Sequence, residues 1–253
     1  MKLNRFLPLL VPLVSYALAE MYFFYPKLIY AAVVLINLLI FFAVWRFSAV
    51  SQVDKQWWNY LILPAVSSTA VMAYSVFLSF KPAIQLLFIL NLAFLYFYLR
   101  QVYYYLLNPS LYKVFSLENI SAYAGWFSFF LLAAVVYGLQ SFLNLPIFYL
   151  ALVMLVATAL VSYQIIWANK IELKKGLLYI LISCLLVVEL GWSISFLPFN
   201  YNIAGLCLAL CFYMVSGLIK NQLLDKLDAV RVKMYLTLGL VSLVLILFTA
   251  RWI

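Results

Sequence analysis

Histidine is absent from this chain, and only seven acidic residues stand against 16 lysines and arginines. The first absence removes His-based triads, His-ligated zinc or haem, and the usual general base near neutral pH. Cysteine is scarce too: Cys184, Cys207 and Cys211 all fall inside apolar runs, and no CxxC spacing occurs. Cysteine so placed behaves as a small hydrophobe. No metal and no cofactor is expected. Charge of either sign makes up 9% of the 253 residues, against about a quarter in a soluble domain. Walker A, GxSxG and HExxH motifs are missing, as is an Asp-rich pair for Mg-pyrophosphate. With so few polar groups, little is left to catalyse a reaction. The sequence contains no Gly/Ser-rich or low-complexity stretch, no convincing internal repeat and no soluble domain.

What the chain has instead is hydrocarbon. Hydrophobic residues make up 69% of it, with a mean hydropathy of +1.12. No water-soluble fold of this size hides so much apolar surface, so the solvent must be lipid. A β-barrel is excluded because its strands alternate apolar and polar residues, whereas these runs are continuous. Nine segments, approximately 6–24, 27–45, 57–80, 83–107, 122–142, 146–168, 176–197, 201–219 and 234–252, each suit a membrane helix of ~20 residues. The expected fold is all-α, a single transmembrane domain over 1–253 with about nine spans. Pro26, Pro82, Pro146 and Pro198 mark turns, and Pro64 should kink the third segment, with Ser67, Ser68 and Thr69 at hand to satisfy freed carbonyls.

Placing the connections on alternate sides sorts the cations. One face receives Lys2, Arg5, Arg46, Lys55, Arg100, Lys113, Lys170, Lys174, Lys175, Lys220, Lys226, Arg231 and Lys233; the other receives Lys27, Lys81 and Arg251. By the positive-inside rule the N-terminus is cytoplasmic and the C-terminus external, in the plasma membrane. Trp45, Trp57, Trp58, Trp126 and Trp167 would then mark the inner interface. The net charge of +9 anchors loops to anionic headgroups rather than binding nucleic acid. Lys2 and Arg5, an apolar run and Ala17-Leu18-Ala19 outline a signal peptide. The run continues through Met21–Phe24, which favours an uncleaved first helix.

Two cytoplasmic loops carry their own helical pattern. Asn108-Pro109 reads as an N-cap followed by a first-turn proline, giving a short surface helix near 109–116. In 220–233, Leu223, Leu227, Val230 and Met234 repeat at helical spacing opposite Asp225, Lys226 and Asp228. Loops 108–121 and 220–233 are therefore the places for a membrane-protein partner, beside the membrane lipids themselves.

Three residues could carry chemistry. Glu189 lies roughly 20 Å along a helix starting near Gly176, inside a core ~30 Å thick. An ionised carboxylate there costs at least ~2.5 kcal/mol, so it should face the bundle interior, be paired or be protonated. Glu20 on the first helix sits at similar depth, and on neighbouring helices the two would line one outward cavity. The blander reading bonds each to Lys27, Lys81 or a hydroxyl. Arg100, within Tyr96-Phe97-Tyr98-Leu99-Arg100-Gln101-Val102-Tyr103-Tyr104-Tyr105, suits a phosphate or a lipid headgroup; otherwise it merely snorkels to the interface. Asn37, Asn91, Gln140 and Gln164 should bond between helices, and Ala204–Gly205 and Gly217 should form close contacts. The leading reading is a multi-pass protein that binds or conducts a small or lipidic ligand, or supports a membrane complex. An enzyme acting on a lipid-linked substrate and a solute transporter coupled through Glu189 are the alternatives.

Overall fold

The computed structural model describes residues 2–51, 57–113 and 116–249. Among these residues every regular element is helical: α1 (Lys2–Phe24), α2 (Ile29–Val50), α3 (Asn59–Ser75), α4 (Lys81–Leu107), α5 (Ser116–Leu143), α6 (Ile147–Ala168), α7 (Leu173–Ser195), α8 (Tyr201–Leu223) and α9 (Ala229–Thr249). The all-α reading holds. Eight of the nine are long and apolar enough to cross a membrane. The exception is α3, whose 17 residues reach only ~25 Å. Beyond Ser75 the chain tightens: Val76, Phe77 and Leu78 donate to carbonyls three residues back. The third apolar run therefore ends as turns rather than as helix.

Local chemistry explains most boundaries. Pro26 opens a 3₁₀ turn after α1, Pro82 sits in the first turn of α4, and Pro146 precedes α6. The Asn200 side chain accepts from the Asn202 N–H at the start of α8, and Asp228 Oδ1 accepts from the Arg231 N–H at 2.7 Å at the start of α9. At the ends of α6 and α8, Lys170 and Asp225 take left-handed backbone (φ 58° and 53°). Each is followed by an N–H that reaches back five residues, Ile171 to Ile166 and Lys226 to Asn221, which satisfies carbonyls the helix leaves open.

Neither expected surface helix forms as a separate element. Pro109–Leu111 is a single 3₁₀ turn, Val114 and Phe115 lie outside the described residues, and α5 already begins at Ser116 with Glu118 in its first turn. Asn108 does not cap with its side chain; its amide donates to the Tyr103 hydroxyl instead. The 220–233 stretch is divided between the last turn of α8 and the first turn of α9. Helical periodicity continued through both loops because the membrane helices themselves extend into them.

The chain forms two compact units, Met1–Ala124 and Gly125–Ile253. In the first, α1 packs on α2 and α4, and α3 packs on both α2 and α4. Its centre holds Ile36, Ile40, Phe47, Leu63, Leu95 and Leu99, all 1% exposed or less. The missing N–H of Pro64 leaves the Tyr60 carbonyl without its helical donor. The buried Tyr98 hydroxyl of α4 donates to it at 3.1 Å. The neighbouring hydroxyls serve other helices. Asn37 of α2 donates to Thr69 at 3.2 Å, and Ser68 donates to Asn91 of α4 at 3.5 Å.

The second unit is built around α5. A Cβ on Gly205 of α8 would lie 2.7 Å from the Ala134 backbone nitrogen, so α5 and α8 meet backbone to backbone, as the small residues at 204–205 foretold. Phe129 stacks on Phe212 with centroids 4.2 Å apart, and the Tyr137 hydroxyl donates to the Gly191 carbonyl of α7 at 2.9 Å. Trp126 donates to the Ala209 carbonyl at 3.0 Å. Because α5 starts at Ser116, Trp126 lies ~15 Å along the helix, where its indole N–H ties α5 to α8. By contrast α9 packs chiefly on α8, and Gly239 is its single buried residue among those described.

Candidate functional site

Arg100 is held by its own helix. Tyr96, Arg100 and Tyr104 recur at i, i+4 and i+8, which stacks them on one face of α4. The guanidinium donates through Nε to the Tyr104 hydroxyl at 3.0 Å and through Nη1 to the Tyr96 hydroxyl at 3.2 Å. It also lies 5.8 and 5.4 Å from the centroids of those two rings, within cation–π range. Two tyrosines of its own helix thus clamp an exposed guanidinium from both sides.

The clamp borders a cleft of about 580 Å³ between the start of α1 and the end of α4. Arg5, Phe6, Pro8 and Leu9 line it from α1. Tyr96, Arg100, Tyr103 and Tyr104 line it from α4, and Asn108 and Leu111 close its end. Two guanidinium groups thus face one cavity, and no carboxylate is among its described lining residues. An arginine has five N–H donors, of which Arg100 uses two on tyrosines. Those tyrosine oxygens act as acceptors, which leaves their own O–H groups free to donate. The cleft is rich in positive charge and hydrogen-bond donors, with no acidic side chain among its described lining residues to answer them. Such a set suits a phosphate or another oxyanion. In the sequence Arg5 reads as a topological cation and as part of the basic start of a signal-peptide outline. The signal available was that Arg5 and Arg100 fall on the same side of the charge count, but nothing in the sequence pairs α1 with α4.

Glu20 stands at the other end of the same helix pair. Its Oε2 accepts from the Gln85 amide at 3.0 Å, and the Tyr16 hydroxyl donates to the Gln85 amide oxygen at 3.3 Å. Its Oε1 is enclosed without a partner among the described residues. Neither Lys27 nor Lys81 forms an ion pair with it among those residues, so its partner is an amide, not a lysine. Of the three settings expected for Glu189, the interior-facing one is not found: the residue is exposed on α7. Among the described residues its backbone carbonyl is engaged, by the Ser193 hydroxyl at 2.9 Å. Glu20 belongs to the first unit and Glu189 to the second, so each is read in its own surroundings. Of the intramembrane amides, Asn37 and Asn91 bond between helices, whereas Gln164, 1% exposed, has neither amide atom satisfied among the described residues.

Outside the spans, Tyr112 follows the 3₁₀ turn and donates to Glu118 Oε2 at 3.4 Å while accepting from the Leu117 N–H. Burial, aided by the Glu118 charge and opposed by that N–H, pushes its hydroxyl from 10.0 up to about 12.

No curated protein and no solved structure matches the chain. Residues 27–249 match a family model described as a protein of unknown function (DUF5656), and the chain belongs to that family. The matched span contains Tyr96, Arg100, Tyr103 and Tyr104 and leaves Arg5 outside it.

Proposed function

From that membership, from eight helices able to cross a membrane and from the cleft beside Arg100, we propose a ligand-binding role for this protein. It is a multi-pass protein of the plasma membrane with a cytoplasmic N-terminus, and it binds an anionic, phosphate-bearing ligand at headgroup depth. The observation that carries this reading is the convergence of Arg5 and Arg100 on one cavity with no carboxylate among its described lining residues. Binding is favoured over catalysis because the cleft offers donors and charge but no base. Glu20, the nearest carboxylate on α1, is 15 residues from Arg5, or ~22 Å along the helix.

The test is lipid retention. Purified protein exchanged into phosphatidylglycerol and phosphatidylcholine is compared by native mass spectrometry with Arg100→Gln and Arg5→Gln. Each lost charge-assisted hydrogen bond is worth ~1.5–3 kcal/mol, so each variant should retain phosphatidylglycerol at least tenfold more weakly. Equal retention of the anionic and zwitterionic lipids by the unaltered protein would sink the reading.

A further inference from the structure

The cleft does not end at its arginines. On the α1 side Phe6 and Leu9 line the cavity and are 57% and 49% exposed, and beyond the cavity Leu13 is 47% exposed. These three recur at i, i+3 and i+7, which is one face of a helix. The next position on that face is Tyr16, whose hydroxyl meets Gln85 of α4. On α4, Gln85, Ile89, Ala93, Tyr96 and Arg100 follow the same logic of threes and fours, with Ile89 50% exposed. The Tyr16–Gln85 hydrogen bond at one end and the shared cleft at the other set α1 and α4 antiparallel. Between these two fixed points runs the seam along which α1 packs on α4, bordered by the exposed Leu9, Leu13 and Ile89 and by the small, half-buried Ala93.

We infer that the ligand is a lipid of the cytoplasmic leaflet, its phosphate between Arg5 and Arg100 and a hydrocarbon chain lying in the α1–α4 seam. This rests on the anion-binding reading above and adds the chemistry of the rest of the molecule. Charge complementarity places the head. The length of the seam matches the tail: Arg100 to Ile89 is 11 residues, ~16 Å of helix, close to half of a hydrocarbon core ~30 Å thick. The far end closes at the Tyr16–Gln85–Glu20 hydrogen bonds, where a polar chain of groups replaces the apolar wall. A free phosphate would use the arginines and leave the seam idle.

The experiment separates head from tail. Binding of long-chain phosphatidylglycerol, its dihexanoyl counterpart and inorganic phosphate is measured on the full chain in zwitterionic nanodiscs, for the unaltered protein, Ala93→Phe and the two arginine variants. The seam predicts that long-chain lipid binds at least tenfold more tightly than the dihexanoyl form. It also predicts that Ala93→Phe removes most of that advantage while inorganic phosphate binds as before. Should the substitution disturb folding, a phosphatidylglycerol with a photoactivatable acyl chain serves instead, with crosslinks expected at Leu9, Leu13 and Ile89. Equal binding of long and short chains, or crosslinks spread evenly over other helices, overturns the seam and leaves anion binding standing. Binding of all three probes unchanged in both arginine variants overturns anion binding itself.

Discussion

The Tyr98 hydroxyl occupies the place of a missing backbone N–H, donating at 3.1 Å to the Tyr60 carbonyl that Pro64 leaves without its helical partner. Both tyrosines are buried, 1% exposed or less. An unpaired carbonyl there would cost the full desolvation penalty. Tyr98→Phe should therefore lower stability by ~1–3 kcal/mol, measured as unfolding in bicelles. In a Pro64→Ala background the helix regains its own donor, and the loss should shrink to under half. An equal loss in both backgrounds would show that Tyr98 acts only by filling space.

Gly205 gives a sharper steric prediction. A Cβ there meets the Ala134 backbone nitrogen at 2.7 Å and its Cα at 2.8 Å, and backbone cannot swing aside. Gly205→Ala should cost ~1–3 kcal/mol as overpacking and Gly205→Leu should abolish recovery of folded protein. At Gly239 the obstacle is the flexible Met214 side chain, so Gly239→Ala should be milder. Size-exclusion recovery and melting temperature rank the three, and the reverse order would refute the backbone contact.

Lys170 ends α6 in left-handed backbone with φ 58°. For a side chain with a Cβ this costs roughly 1 kcal/mol, which glycine avoids. Lys170→Gly should raise the unfolding free energy by about that amount, and Lys170→Val should lower it by more. Equal stability of the lysine, glycine and valine proteins would mean that the surrounding turn, not residue 170, sets the conformation.

Tyr112 supplies a pH dependence. Its hydroxyl is held at about 12 in the fold against 10.0 unperturbed. A raised folded value means that the native state keeps a proton the unfolded chain has lost. The stability this confers is fully present below pH 10 and drains away as pH rises through about 12. The advantage of the unaltered protein over Tyr112→Phe should narrow across that window, seen in unfolding midpoints taken at intervals from pH 8 to 12. A constant difference would rule the linkage out.

Much of this architecture could be read from residue order, because lipid solvent makes each span visible as a continuous apolar run. Pro64 announced freed carbonyls, though not that a tyrosine of another helix would answer one, and the aromatic run around Arg100 announced a cation among rings. The other half of each relationship was hidden. Tyr98 and Arg5 matter through the pairing of α4 with α3 and α1, and in α1 and α4 the partners are 65 residues or more apart in sequence, as with Glu20 and Gln85. Glu189 exposes a second limit. A helix apolar all round carries no stripe to show which side faces its neighbours, so the direction of Glu189 was not legible. The loop helices failed for the opposite reason: an amphipathic repeat does not reveal whether it stands alone or continues a span.

The thin seating of α9 bears on how the molecule is made. With Gly239 as its single buried residue among those described and α8 as its support, this helix gains little from protein contacts and is held by the bilayer. An apolar segment of this length is stable as a span before helices pack on one another, so α9 can cross the bilayer beside α8 without waiting on the packing of the unit. Its 21 residues span ~32 Å, so membrane thickness sets its tilt more than any neighbour does. Oriented circular dichroism of an α9-labelled chain in thin and thick bilayers should register that tilt while the signal from α5 stays fixed.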